Sequence, residues 1–218
     1  MNEDIHNESV EKILLSASSL FSAAGYHGTS IRDIAKHAGA NLAAVNYHFG
    51  DKESLYCVII TRGLQTINLE RLTRLNHAIQ NAGDRPVPLT TIIDIFARPI
   101  FKILESRENA KFHLVRLIGR SLVEPLPFVD ELLKSELHPV TTRFAQAIRR
   151  HVPSLSPTEF MWRISFVVGA MHHTLATMHR MNDLTRGLCS NNDSAAALRH
   201  FTQFAAASLV APGWPPEK

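Results

Sequence analysis

The stretch Thr29-Ser30-Ile31-Arg32-Asp33-Ile34-Ala35-Lys36-His37-Ala38-Gly39-Ala40-Asn41-Leu42-Ala43-Ala44-Val45-Asn46-Tyr47-His48-Phe49-Gly50 decides the fold. Thr29 and Ser30 are helix N-cap types, Asp33 stands three residues after Ser30 in capping-box register, and Ile31, Ile34 and Ala35 form a short apolar face. A helix of about two turns follows from that spacing. Ala38-Gly39-Ala40-Asn41 breaks the pattern, and Leu42, Val45 and Phe49 resume it on a second short helix. Two short helices joined by a tight turn are too small to bury themselves. The neighbouring sequence must therefore supply a packing surface.

Upstream, Ile13, Leu14, Ala17, Leu20, Phe21 and Ala24 fall on a single stripe of a 3.6-residue helix, predicted over Glu8–Ala24 and stopped by Gly25. Downstream, Gly50 interrupts the chain and Asp51 offers an N-cap. Leu55, Val58, Ile59, Leu64, Ile67, Leu72, Leu75 and Ile79 then thread one long helix that ends near Asn81. A loop with Gly83, Pro86 and Pro88 separates it from further helices. These are predicted at Leu89–Ser106, with a kink at Pro99, and at Glu108–Leu122, Phe128–His151, Thr158–Met181 and Asp193–Val210. No alternating β-branched runs between Gly-rich turns occur. The expected fold class is all-α: an N-terminal three-helix unit carrying the helix-turn-helix, then a larger helical domain.

With 218 residues, 45% hydrophobic and 20% charged, the chain has enough apolar side chain to order itself, and disorder is excluded. Two cysteines, Cys57 and Cys189, cannot make a disulfide framework or a metal-spacing motif, and their scarcity suits a reducing cytoplasm. Met1–Ser9 is acidic and polar, without the basic and apolar segments of a secretory signal. The most apolar later run, Ile164–Met171, is bounded by Arg163 and His172-His173, far short of a membrane span. A soluble, cytoplasmic protein with no membrane partner is expected. The formal charge is +3, yet residues 1–55 hold four Lys/Arg against seven Asp/Glu, so bulk charge makes no case for nucleic acid.

Enzyme chemistry finds no footing. Glu-x-x-His occurs only as Glu3–His6 in the acidic tail. His172 and His173 point to different sides of a helix, and no Gly-x-Ser-x-Gly or Gly-rich phosphate loop occurs. No catalytic set, metal site or cofactor is expected. A helix-turn-helix works when its second helix protrudes from a small packed tripod, leaving one face free for base edges and phosphates. Val45 and Phe49 can anchor that helix on Ile13, Ala17 and Phe21, which leaves Asn41, Leu42, Ala43, Ala44, Asn46, Tyr47 and His48 on or near the exposed side.

The residues Ile13-Leu14, Ala17, Leu20-Phe21, Gly25-Tyr26, Thr29-Ser30, Ile34-Ala35, Ala38-Gly39, Tyr47-His48-Phe49, Lys52-Glu53 and Leu55 together resemble the N-terminal DNA-binding domain of the tetracycline-repressor (TetR) family. The resemblance covers about a fifth of the chain. It implies a DNA-binding domain over 1–51 and a ligand-binding and dimerisation domain over 52–218. It also implies that Thr29 or Ser30 holds a DNA phosphate at a helix N-terminus, that Tyr47 and His48 form a phosphate-contacting pair, and that Lys52 adds another contact. Base reading would fall to Asn41, Ala43, Ala44 and Asn46, since Asn can pair with adenine and alanine methyls can meet thymine methyls. Many family members carry an aromatic residue where Asn46 stands, so the operator sequence does not transfer.

The same resemblance implies a homodimer on a palindromic operator in double-stranded DNA, released by a small-molecule effector. Repression is favoured over activation, because a dimer seated on an operator blocks polymerase without a further contact surface. An adaptor that keeps the fold without DNA binding is the rival reading. For the effector, His113, Arg116 and Arg120 make one basic stripe that could receive a carboxylate or phosphate, while Phe101, Phe144, Met171 and His172 could line an apolar site. The C-terminal helices are rich in small residues that permit close approach across a two-fold axis, with Trp162 and Phe166 as candidate anchors.

Overall fold

A computed structural model describes residues 2–104, 110–121, 124, 126–190 and 193–213, with no account of the side chains of 2–7, 104, 110–112, 114, 121, 176 and 179. In chain order the helices are α1 (Asn2–Ala24), α2 (Ile31–Ala38), α3 (Leu42–Phe49), α4 (Lys52–Ala82), α5 (Leu89–Leu104), α6 (Ala110–Ser121), α7 (Pro127–Arg149), α8 (Pro157–Thr177), a 3₁₀ turn Met178–Arg180, α9 (Met181–Leu184) and α10 (Ser194–Val210). No strand occurs among the described residues, in agreement with the all-α expectation.

The differences from expectation are local. α1 begins at Asn2 rather than Glu8, so the polar, acidic N-terminus is helical. α5 contains Pro99, as expected, whereas α8 ends at Thr177, where the chain tightens into the 3₁₀ turn and α9, within a segment read as the end of one helix and a polar run. The expected helix end at Ser106, the start at Glu108 and the end at Leu122 lie outside the described residues, as do the Glu3–His6 side chains and the tail from Trp214.

The chain divides into two compact units. The first comprises Met1–Thr66 with Ser106–Glu136, and the second Ile67–Glu105 with Leu137–Lys218. In the first, α1 packs on α2 and α2 on α3, and the buried residues include Ile13, Ala17 and Phe21 of α1, Ile34 and Ala35 of α2, Val45 of α3 and Leu55, Tyr56 and Ile60 of α4. The Phe21 and Tyr56 rings meet edge to face at 4.9 Å, and Tyr26 meets Tyr56 in the same way at 5.3 Å, geometries the aromatic quadrupole favours. α6 packs along α1.

In the second unit, α5 and α10 pack together through Phe101 and Phe201, whose ring centroids are 5.8 Å apart, with Ile92, Ala97, Ala205 and Leu209 buried around them. Arg163 joins α8 to the end of α10. Its Nη1 lies within hydrogen-bonding distance of the carbonyls of Ser208 (3.2 Å), Leu209 (2.9 Å) and Ala211 (2.6 Å), and Nη2 donates to Pro212 O at 2.9 Å and Glu159 Oε1 at 2.6 Å. A helix C-terminus leaves carbonyls without intrahelical partners and concentrates partial negative charge, so one guanidinium satisfies both needs there. Arg163→Ala is expected to lower the opening free energy of the Ala205–Ala211 amides by about 2 kcal/mol, the worth of charge-assisted hydrogen bonds, as read by native-state hydrogen exchange.

Candidate nucleic-acid interface

The α2–turn–α3 element is held by caps at every end. Ser30 Oγ accepts from Asp33 N at 3.1 Å and Ser30 N donates to Asp33 Oδ2 at 3.3 Å, completing the box predicted from sequence. Gly39 closes α2 in the left-handed region (φ 63°), and Ala40 N reaches back to Ala35 O at 2.9 Å. Asn41 then caps α3, its Oδ1 accepting from Ala44 N at 2.6 Å. Gly50 (φ 76°) ends α3, and Asp51 Oδ1 accepts from Ser54 N at 2.7 Å at the start of α4. That backbone bond, with the Ser54 hydroxyl, holds the Asp51 carboxyl below its ordinary range.

With Val45 buried and Phe49 half-buried, α3 turns Leu42, Ala43, Asn46 and Tyr47 to solvent, while Ala44 and His48 are half-buried. Tyr47 is 81% exposed, a large aromatic with its ring turned edge-on to His48 at 5.3 Å. A tyrosine held out on a two-turn helix adds little to the core and presents both a ring and a hydroxyl to a partner outside.

Three of the expected phosphate residues have other duties. Thr29 is buried and its Oγ1 donates to Gly25 O at 2.9 Å, closing the α1–α2 turn, so the hydroxyl cannot face a phosphate. Ser30 is exposed, but its Oγ lies 2.6 Å from Asp33 Oδ2, so its hydroxyl proton and the charge at the start of α2 are already matched within the box. Lys52 is half-buried: Nζ donates to Tyr26 O (3.1 Å) and Thr29 O (3.2 Å) and sits 4.2 Å above the Tyr26 ring. It ties the α1–α2 loop to α4, with one of its three N–H donors left over. Asn41 likewise commits its carbonyl oxygen to the cap, leaving Nδ2 to donate, whereas Asn46 is exposed.

Sequence reasoning passed over Arg32, Lys36 and His37, which α2 exposes opposite its buried Ile34 and Ala35. The offset of four between Arg32 and Lys36 was the available signal, since it places them on one face away from the apolar one. Of the seven effector candidates, three belong to the first unit. There His113 Nδ1 lies 3.2 Å from Ser22 Oγ on α1, and Arg120 Nε donates to Glu124 Oε2 at 3.0 Å, while Arg116 is exposed. Partial burial, then the Arg116 charge, pushes the His113 imidazole below its ordinary range. His113 and Arg120 of the basic stripe are thus engaged within the first unit. The other four belong to the second unit: Phe101, Phe144 and Met171 are buried, and His172 is half-buried.

Residues 13–57 match the family described as bacterial regulatory proteins, tetR family, and residues 94–208 match the tetracyclin repressor-like C-terminal domain. The chain belongs to the TetR family. This TetR-family regulator is 47% identical over 128 residues to the probable HTH-type transcriptional regulator YttP of Bacillus subtilis, a match spanning 58% of this chain and 56% of that protein. It is 46% identical over 46 residues to IcaR, a negative transcriptional regulator of the biofilm operon icaADBC in Staphylococcus aureus, spanning 21% of this chain and 25% of IcaR. Against these curated relatives the match therefore spans between a quarter and about half of their length. The fold is that of the fatty acid degradation regulator FadR from Bacillus halodurans (TM-score 0.67, 16% identity, 94% of this chain and 100% of that one). The family is one of transcriptional regulators, not enzymes. Among the described residues no group of three or more His, Cys, Asp or Glu could hold a metal, and no helix is long and apolar enough to cross a membrane.

Capping and base-facing roles separate by stability. Asn41→Ala is expected to cost about 1 kcal/mol in urea unfolding through loss of the α3 cap, and Asn46→Ala to stay within about 0.5 kcal/mol, as for an ordinary surface position.

Proposed function

We propose that this regulator binds a palindromic operator as a homodimer, represses by occupying it, and leaves it when a small molecule binds. The observation that carries the DNA reading is Tyr47, 81% exposed on a helix whose opposite face is fixed by Val45 at 1% exposure. α3 enters the major groove. Asn46 pairs with adenine through both ends of its amide, Asn41 contributes only its Nδ2 donor, and Ala43 and Ala44 meet thymine methyls. Tyr47 and His48 contact phosphates, joined by the exposed Arg32 and Lys36 of α2. Lys52 acts first by fixing the α1–α2 loop and can give its remaining proton to a phosphate.

In this reading residues 1–51 read DNA, and residues 52–218 take the effector and dimerise in the cytoplasm. Dimeric heads must meet half-sites about 34–36 Å apart, one helical turn of DNA, so an effector acts by favouring a different head spacing. The long α4, which starts at Lys52, is the element suited to carry that change.

The dimer reading rests on a stripe. On α8, Trp162, Phe166, Gly169 and His173 are all exposed at helical spacing, and the Trp162 and Phe166 rings stack at 5.7 Å. On α10, His200, Phe204 and Ala207 form a second exposed stripe, with Phe204 55% accessible. Large aromatics in a row on two helices of one unit fit a second copy of this chain, joined as a four-helix bundle.

Selection of duplexes from a random pool by the purified protein should recover a palindrome. Tyr47→Ala should then weaken all sequences about equally, while Asn46→Ala should relax one position per half-site by about 1–3 kcal/mol. Enrichment of no sequence at low salt would instead support the adaptor reading. Phe166→Glu, which places a charge in the aromatic stripe, is expected to convert the dimer into a monomer by sedimentation velocity and to lower operator affinity with it.

A further inference from the structure

Arg71 is a charged residue where α4 should have an apolar one. It is 2% exposed, in register with Leu64, Ile67 and Leu75 on the buried stripe of the helix. Its Nε donates to Phe96 O at 2.7 Å on α5, Nη1 lies 3.3 Å from Asn68 Oδ1, and the guanidinium sits 4.0 Å over the Phe96 ring. Nη2 is buried and has no hydrogen-bond partner. The adjacent Glu70 does not supply one, since it pairs with Arg74 at 2.7 Å on the accessible side of the helix. No carboxylate among the described residues bonds Arg71, and burial pulls its pKa down to about 9.

Taking a guanidinium out of water without a counter-ion is costly, and one carbonyl, one weak amide contact and a ring face offset only part of that cost. The nearby basic group does not offset the charge either: burial first, and then the Arg71 charge, push the imidazole of the half-buried His172 of α8 below its ordinary range, which favours its neutral form. The surroundings of the guanidinium are apolar: it lies over the Phe96 ring, and the buried Phe144 stands 5.1 Å from that ring.

We propose that Arg71 anchors a site for a small monoanion, a carboxylate carried on an apolar body, with His172 as a second donor. The unpartnered Nη2, beside Nη1, is the edge a carboxylate meets with two parallel bonds. One permanent positive charge in apolar surroundings balances a monoanion; a phosphate dianion would bring a second negative charge that nothing permanent here matches. The site lies wholly within the second unit, where Arg71, Phe96, Phe144, Met171 and His172 all belong. It deepens the effector reading above and rests on that reading only for the consequence on DNA.

Because the apolar body is unidentified, the probe is acetate, the carboxylate with almost no body. Nitrogen-15 spectra of the full-length protein report the Arg71 Nε–H and the His172 ring while acetate replaces chloride at constant ionic strength, with acetamide as the neutral control. The expected result is a saturable shift of both signals with acetate and none with acetamide. Arg71→Met, apolar and of similar length, should weaken acetate by about tenfold or more, the worth of a hydrogen bond to a charged group. Arg71→Lys keeps the charge without the fork and should fall between, and serves if the methionine variant does not fold. Acetate that moves neither signal in the natural protein, or binds equally well to the Arg71 variants, overturns the site. The same titration on the selected operator duplex separates the two readings: saturation without loss of DNA affinity keeps the site and removes its effector role.

Discussion

Everything in the first unit depends on how a two-turn helix is held still. α3 has only eight residues, too few to be stable alone, and only one of them, Val45, is fully buried. Its position is therefore imposed from outside. Asn41 and Gly50 fix its ends, Val45 fixes its rotation, and α2, itself packed on α1 and its buried wall of Ile13, Ala17 and Phe21, supports it. Tyr56 and Tyr26 extend that wall into an aromatic cluster around Phe21, so the rigidity of the exposed face comes from rings remote from it. An exposed reading surface can be precise only because its buried counterpart leaves no alternative packing.

The loop between α1 and α2 belongs to the same device. Thr29 and Lys52 bond carbonyls of Gly25, Tyr26 and Thr29 itself, so residues that look like surface contacts in sequence are spent on holding the loop. Side-chain polarity is thus divided between securing the backbone and facing outward. The division is invisible in residue type alone, because serine, threonine, lysine and asparagine serve either purpose.

The caps explain what was legible. Ser30, Asp33, Gly39, Asn41, Gly50 and Asp51 are residues whose local hydrogen bonding or backbone freedom dictates a helix end, and the helices begin and end where they stand. The core of α1 was legible for the same reason of period. What stayed hidden were partners distant in sequence. His113 meets Ser22 across ninety-one positions, and nothing local distinguishes that from a solvated basic face. Arg71 was hidden by charge itself: the period of α4 placed it inward with Leu64, Ile67 and Leu75, but a guanidinium is normally taken to face water. Period was the better guide.

The order of the chain and the order of packing do not coincide. Residues 106–136 return to the first unit, where α6 runs along α1 and Phe128 lies 5.1 Å from Tyr26. A fragment ending after α3 would carry the whole outward face of the helix-turn-helix yet leave Phe21 and Tyr26 without part of their cover. Grafting this head onto another regulator would therefore mean transplanting two separate pieces of chain, which makes the unit hard to exchange by simple recombination at one crossover and binds its evolution to that of the helices that follow.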